Sequence, residues 1–156
     1  MKPVLLLATL VLGSVGVFAK TSRISSDKVL GTFFNEFGKG NMAGVIACFH
    51  ENAVITAVRN GSRNDGQLYG SYEGLKGVED FLSNMGKEFD TKQFQVEHIV
   101  GKGNVAYASG SFLHIIKETG KPFQSDWALK VELKDGKIIS YHFYEDSASY
   151  VLASKK

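Results

Sequence analysis

Cysteine is nearly absent from this 156-residue chain, with Cys48 alone, and proline occurs only twice. One cysteine cannot close an intramolecular disulfide, so no covalent staple supports folding. Cys48 lies in the apolar run MAGVIACFHENAVI and reads as a small buried hydrophobe, because the papain-type signature that would make His50 its base is missing. Charge of one sign is also lacking: 18 Lys and Arg stand against 16 Asp and Glu. The charges are scattered, with only Lys155 and Lys156 adjacent at the end, so the basic stripe of a nucleic-acid partner is absent. GxGxxG, P-loop, HExxH, GxSxG and CxxC are all missing. With them go the minimal residues for nucleotide binding, zinc proteolysis, the hydrolase elbow and dithiol chemistry. No cofactor and no metal is expected.

What is present suits one compact domain, at 44% hydrophobic and 12% aromatic residues. The longest apolar run is N-terminal: Lys2 precedes PVLLLATLVLGSVGVFA, with Val17 and Ala19 three and one before a cleavage point. This pattern predicts a secretory signal peptide over 1–19 and an exported, periplasmic or secreted, product. Gly13 and Gly16 interrupt the run and no basic stop follows it, so it makes a poor membrane anchor. Cleavage removes only Lys2 from the charged set and leaves a net charge near +1. A linker over 20–26, a domain over 27–152 and a tail over 153–156 complete the division. Asn60-Gly61-Ser62 is a glycosylation sequon, relevant in a eukaryotic host.

Period then separates the two halves of the domain. Val29, Leu30, Phe33, Phe34 and Phe37 follow the i, i+3, i+4, i+7, i+8 spacing of an amphipathic helix, with Ser26 or Asp27 as its cap. NMAGVIACF predicts a short second helix, AVITAV a strand, residues 60–73 a loop, and GLKGVEDFLSNMGKEF a third helix. FQVEHIV, NVAYASGSFLHII, PFQSDWALKVEL and KIISYHFYED are four strands of an antiparallel meander, and SASYVLA is a last short helix. Helices followed by long strands give the α+β class.

This order, with YGSYEG before the third helix and VELKDGKIISYHFYED before the terminal one, resembles the SnoaL-like branch of the NTF2-like superfamily over residues 27–152. The resemblance implies a cone: a strongly curved antiparallel sheet wrapped around three N-terminal helices, with a hydrophobic pocket between them. The superfamily hosts isomerases, cyclases, dehydratases, epoxide hydrolases and proteins without catalysis, so the fold alone names no activity. The positions where ketosteroid isomerases keep a tyrosine and two aspartates fall on Phe33, Ala57 and about Leu129. None can stabilise a dienolate or move a proton. The acid/base aspartate of SnoaL-like cyclases is most nearly matched by Asp126.

The faces of the last two strands depend on the turn between them. Lys134, Asp135 and Gly136, taken as a three-residue turn with Gly136 in a bulge position, pair Val131 with Ile139, Leu129 with Tyr141 and Trp127 with Phe143. That register gathers the apolar side chains on one face, and burial at about 25 cal/mol per Å² favours it. Asp126, Ala128, Lys130, Glu132, Ser140, His142 and Tyr144 then share the polar face. His114 joins Asp126 there if the KETGK loop has an odd length. The expected pocket lining is Tyr107, Ser109, Ser111 and Leu113, then Ser125, Trp127 and Leu129, then Tyr141, Phe143 and Glu145. Tyr72 belongs to the loop beside it, with Arg59, Arg63, Asp65 and Tyr69 as rim candidates.

The acid/base candidates are Glu145, whose burial would raise its pKa, and Asp126 with His114 or His142. The leading expectation is a small-molecule-binding protein for an apolar or aromatic ligand, without evident catalysis. One alternative is an isomerase, cyclase or hydratase using a late-strand carboxylate. The other is a homodimeric interaction module that contacts its partner through the polar face and keeps only a vestigial pocket.

Overall fold

The computed structural model describes residues 24–64 and 66–156. The expected leader over 1–19, the linker up to residue 23 and Asp65 lie outside those residues. α1 (Ser26–Gly38) buries Val29, Leu30 and Phe33 on one stripe, as its spacing requires. Its cap is Ser25 rather than Ser26 or Asp27; the Ser26 hydroxyl donates instead to the Val105 carbonyl at 2.8 Å. α2 (Met42–Ala47) is capped by Asn41, whose side chain accepts from the Gly44 N–H. β1 (Phe49–Ala57) is followed by β2 (Gly70–Glu73), a short strand inside the segment that turn formers had marked as loop.

α3 (Gly74–Glu88) precedes β3 (Phe89–Lys102), β4 (Val105–Ile116), β5 (Pro122–Lys134), β6 (Lys137–Glu145) and α4 (Ser147–Ser154). The last helix begins at Asp146, which accepts from the N–H groups of Ala148 and Ser149, a sound N-cap.

The six strands are ordered β2-β1-β6-β5-β4-β3. β3 to β6 form the expected meander, but β1 runs parallel to β6. The curved sheet of this α+β fold is therefore mixed rather than wholly antiparallel. Most of the domain separates β1 from β6 in sequence, ample length for the crossover a parallel pair requires. α1 lies against β3, β4 and β5, and α3 against β1 and β2, so one sheet face is covered by helices.

The β5–β6 turn corrects the expected register. Asp135 (φ 51°) and Gly136 (φ 76°) are both left-handed, the signature of a two-residue type I′ turn, and Lys134 pairs with Lys137. The bulge falls further along: Leu133 pairs with Ile138 and Glu132 with Ser140, leaving Ile139 unpaired. Beyond it Val131 faces Tyr141, Leu129 faces Phe143 and Trp127 faces Glu145, each two residues beyond the expected partner. A slip of two keeps every side chain on its face. Trp127, Leu129 and Val131 are buried on the inner side with Tyr141, and Ile138 replaces Ile139 there.

β4 is turned over relative to expectation. Ile115 pairs with Pro122 and the Ile116 N–H donates to the Lys121 carbonyl, so the loop is the four residues 117–120. An even length sends Ala106, Ala108, Phe112 and His114 inward, all buried. Tyr107, Ser109, Ser111 and Leu113 face outward instead, and Tyr107 is 51% exposed. Gly110 sits between Val96 and Trp127 in the ladder. A Cβ there would fall 1.9 Å from the Gln95 carbonyl oxygen, so no side chain fits.

Candidate functional site

Between α1, α3 and the inner sheet face lies a cavity of about 60 Å³. That exceeds what one water occupies yet is far below the ~300–1,000 Å³ of sites preformed for drug-sized ligands. α1 supplies Phe33, Phe34 and Phe37, and α3 supplies Phe81, Leu82 and Met85. The helical stripes read from the sequence as core therefore also form the cavity's roof. The sheet contributes Phe89, Thr91 and Phe94 from β3, His114 from β4, and Tyr141, Phe143 and Glu145 from β6. Ala57, Val58, Leu68 and Tyr69 close one end.

Glu145 is the acidic group of this lining. Loss of hydration raises its pKa from the usual 4.5 to about 7; the hydrogen bond from Tyr69 opposes that rise, and the charge of Asp146 adds to it. The Tyr69 hydroxyl donates to Oε1 of Glu145, and burial drives its own pKa upward, so it remains a donor. Tyr69 also stacks edge-on against Tyr150 of α4, with centroids 4.6 Å apart. Tyr150 in turn donates to Glu88 at 2.8 Å. Burial likewise raises the pKa of Tyr141, which keeps a neutral phenol in the cavity wall.

His114 is 6% exposed and stacked between Phe89, at 4.6 Å, and Phe112, at 4.1 Å. Burial lowers its pKa from 6.5 to about 4, so the ring is neutral at pH 7. At the end of β1, Val58 adopts φ 65° and the Arg59 N–H donates back to the Ala57 carbonyl at 2.7 Å. This tight three-residue turn is strained for a β-branched residue. Strain of this kind concentrates at functional sites, and here it sits on the cavity.

The expected site residues divide accordingly. Glu145, His114, Tyr141 and Phe143 reach the cavity. Trp127 is buried behind it, stacking on Phe94 and Phe143, and Leu129 is plain core. Tyr72 is buried beneath α3, donates to the Leu68 carbonyl and carries Arg63 on its ring at 3.8 Å. Tyr107 and Ser109 lie outside, for the loop-parity reason given above. Asp126 is exposed on the outer face. His142, also on that face, has Nδ1 2.9 Å from the Tyr144 hydroxyl. His114 points the other way, so the grouping of Asp126 with His114 and His142 does not form. Tyr69 as partner of Glu145 escaped sequence reading: 76 positions separate them, and no local pattern links a loop tyrosine to a strand end. Neither Phe33 nor Ala57 brings a polar group, and the cavity's carboxylate comes from the end of β6.

A curved sheet closed by helices over an aromatic cavity with one half-buried carboxylate defines an α+β pocket protein. The SnoaL-like domain model matches residues 30–141, and the chain belongs to this family. Among solved structures it is similar to an NTF2-like protein of Burkholderia xenovorans LB400 (18% identity, 85% of this chain and 99% of that one, TM-score 0.72). It is similar to TerC co-crystallised with polyporic acid (14%, 83% and 98%, TM-score 0.68). A Mesorhizobium loti structure with a provisional SnoaL-like polyketide cyclase description is a third (16%, 78% and 99%, TM-score 0.64). At these identities the likeness is one of fold. No curated protein matches the chain significantly.

Proposed function

We propose that the chain binds a small, largely apolar molecule in the cavity and that Glu145 exchanges a proton with it. The observation that carries this reading is a carboxyl group set among aromatic rings with its pKa raised to about 7. A general acid or base works best when its pKa lies near the working pH, and a carboxyl with packing as its only role gains nothing from that placement. TerC, of similar fold, was co-crystallised with polyporic acid, which supports a fold of this kind taking a small molecule. The small volume fits either a compact ligand or one that displaces the half-buried Phe34, Phe37 and Met85 on entry.

Native mass spectrometry of the protein isolated from its own host, joined to carboxyl ¹³C titration, tests this. A bound small molecule and a carboxyl resonance with its midpoint near 7, missing in Glu145→Gln, are expected. An empty protein whose glutamates all titrate near 4.5 would sink the reading. Export through a cleaved leader belongs to the same proposal, and N-terminal sequencing of the product checks it.

A second reading concerns the outer face, where Tyr107 and Tyr144 are exposed on either side of Ala128. We infer that this face is a contact between two copies of the chain.

A further inference from the structure

His114 is difficult to explain by packing. Its position between Phe89 and Phe112 would suit phenylalanine or leucine, yet it carries an imidazole whose nitrogens find no hydrogen-bond partner among the described residues. Nδ1 is sealed from solvent with nothing to bond, and the ring lines the cavity. An unpaired buried polar group opposes folding, and here the stacked rings hold it in place rather than letting it turn to solvent. Thr91, paired directly across the ladder, lines the cavity beside it.

Glu145 stands elsewhere. His114 pairs with Phe123 and Glu145 with Trp127 on the same strand, four residues apart or ~13 Å along β5. The Phe89–Tyr150–Tyr69 contacts lie between them. One polar group cannot meet both. None of the described lining residues is Lys or Arg, so a bound anion would be desolvated without a counter-charge, at heavy cost.

Building on the small-molecule reading above, we propose that the cavity takes a two-ended ligand without negative charge: an apolar body with one hydrogen-bonding group for Glu145 and another for His114. His114 is then a specificity-determining residue. The neutral imidazole offers an unpaired ring nitrogen to the ligand, as donor or acceptor according to tautomer, while the aromatic rings enclose the body between the two ends.

A set of probes of matched size tests it by calorimetry on the full chain: ethylbenzene, 4-ethylphenol, 4-(2-hydroxyethyl)phenol and the carboxylate of that last skeleton. The two-ended neutral probe should bind about tenfold or more tighter than 4-ethylphenol and than the carboxylate analogue. His114→Phe should erase that margin over 4-ethylphenol. In the unmodified protein, ¹⁵N spectra should show the His114 ring resonance moving only with the two-ended probe, which keeps the test open if the variant folds poorly. Equal binding of one-ended and two-ended probes, an unmoved His114 resonance, or tightest binding by the carboxylate analogue would overturn the proposal while leaving a pocket. Failure of every probe, ethylbenzene included, would remove the pocket reading as well.

Discussion

The β5–β6 hairpin has two faces made from the same two strands, and they differ in what they do to an ionisable group. Asp126 and Trp127 are neighbours in sequence, yet one is exposed and the other buried. His142 and Glu145 are three residues apart on β6; one stacks on Tyr144 outside and the other enters an aromatic cavity. Strand alternation alone divides them. The contrast teaches that the candidate chemistry is set by parity: an odd number of steps along a strand moves a side chain from the outer face to the cavity.

The largest expected effect breaks the comparison at its most unequal pair. Trp127→Ala removes a ring stacked on Phe94 and Phe143 and should cost about 3–5 kcal/mol in urea denaturation. Asp126→Asn, one residue away, should stay within about 0.5 kcal/mol. Comparable losses would mean that the two faces are not inner and outer.

The next effect is a pH dependence in which two cavity groups pull in opposite directions. Glu145 in the folded chain binds a proton up to about pH 7, whereas unfolded it releases it near 4.5. Its contribution is fully present below 4.5 and is lost as pH rises through 7. The full difference is at most about 3 kcal/mol at 1.36 kcal/mol per pH unit. His114, with its pKa lowered from 6.5 to about 4, contributes fully above 6.5 and loses that contribution as pH falls to 4. Glu145→Gln should therefore gain on the parent chain as pH climbs from 4.5 to 8, and His114→Phe should gain as pH falls below 6.5. Stability profiles from pH 4 to 8 check both signs, and a variant with the slope of its parent would remove that group from the buried set.

How much of this was legible in the chain follows from which interactions are local. The α+β order, the helical stripes over Val29 to Phe37 and Leu75 to Met85, and the inward set Trp127, Leu129, Tyr141, Phe143 and Glu145 could be read, because period and apolar burial are written along single segments. The turn could not be: Asp135-Gly136 suits a type I′ turn as well as a bulged one, and only the burial of both Ile138 and Tyr141 selects the bulge at Ile139. The direction of β4 depended on whether the loop before Lys121 is even or odd, a difference of one residue that reversed Tyr107 and His114 together. Parallel pairing of β1 with β6, and the Tyr69–Glu145 contact, join residues from opposite ends of the domain and leave no periodic trace.

The smallest effect on stability concerns the outer face. Ala128 pairs with Tyr144 on one side and Ser109 on the other, and exposed Tyr107 and Tyr144 flank it. Ala128→Arg introduces a long cation that points away from the helices, so folding free energy should change by less than about 0.5 kcal/mol and cavity ligands should bind as before. If two copies meet through this face, two guanidinium groups are forced into one interface without partners, and sedimentation should show the dimer dissociating. A dimer that survives the substitution would place the contact elsewhere. The inner face would be untouched by either result, because no side chain of the outer set reaches the cavity.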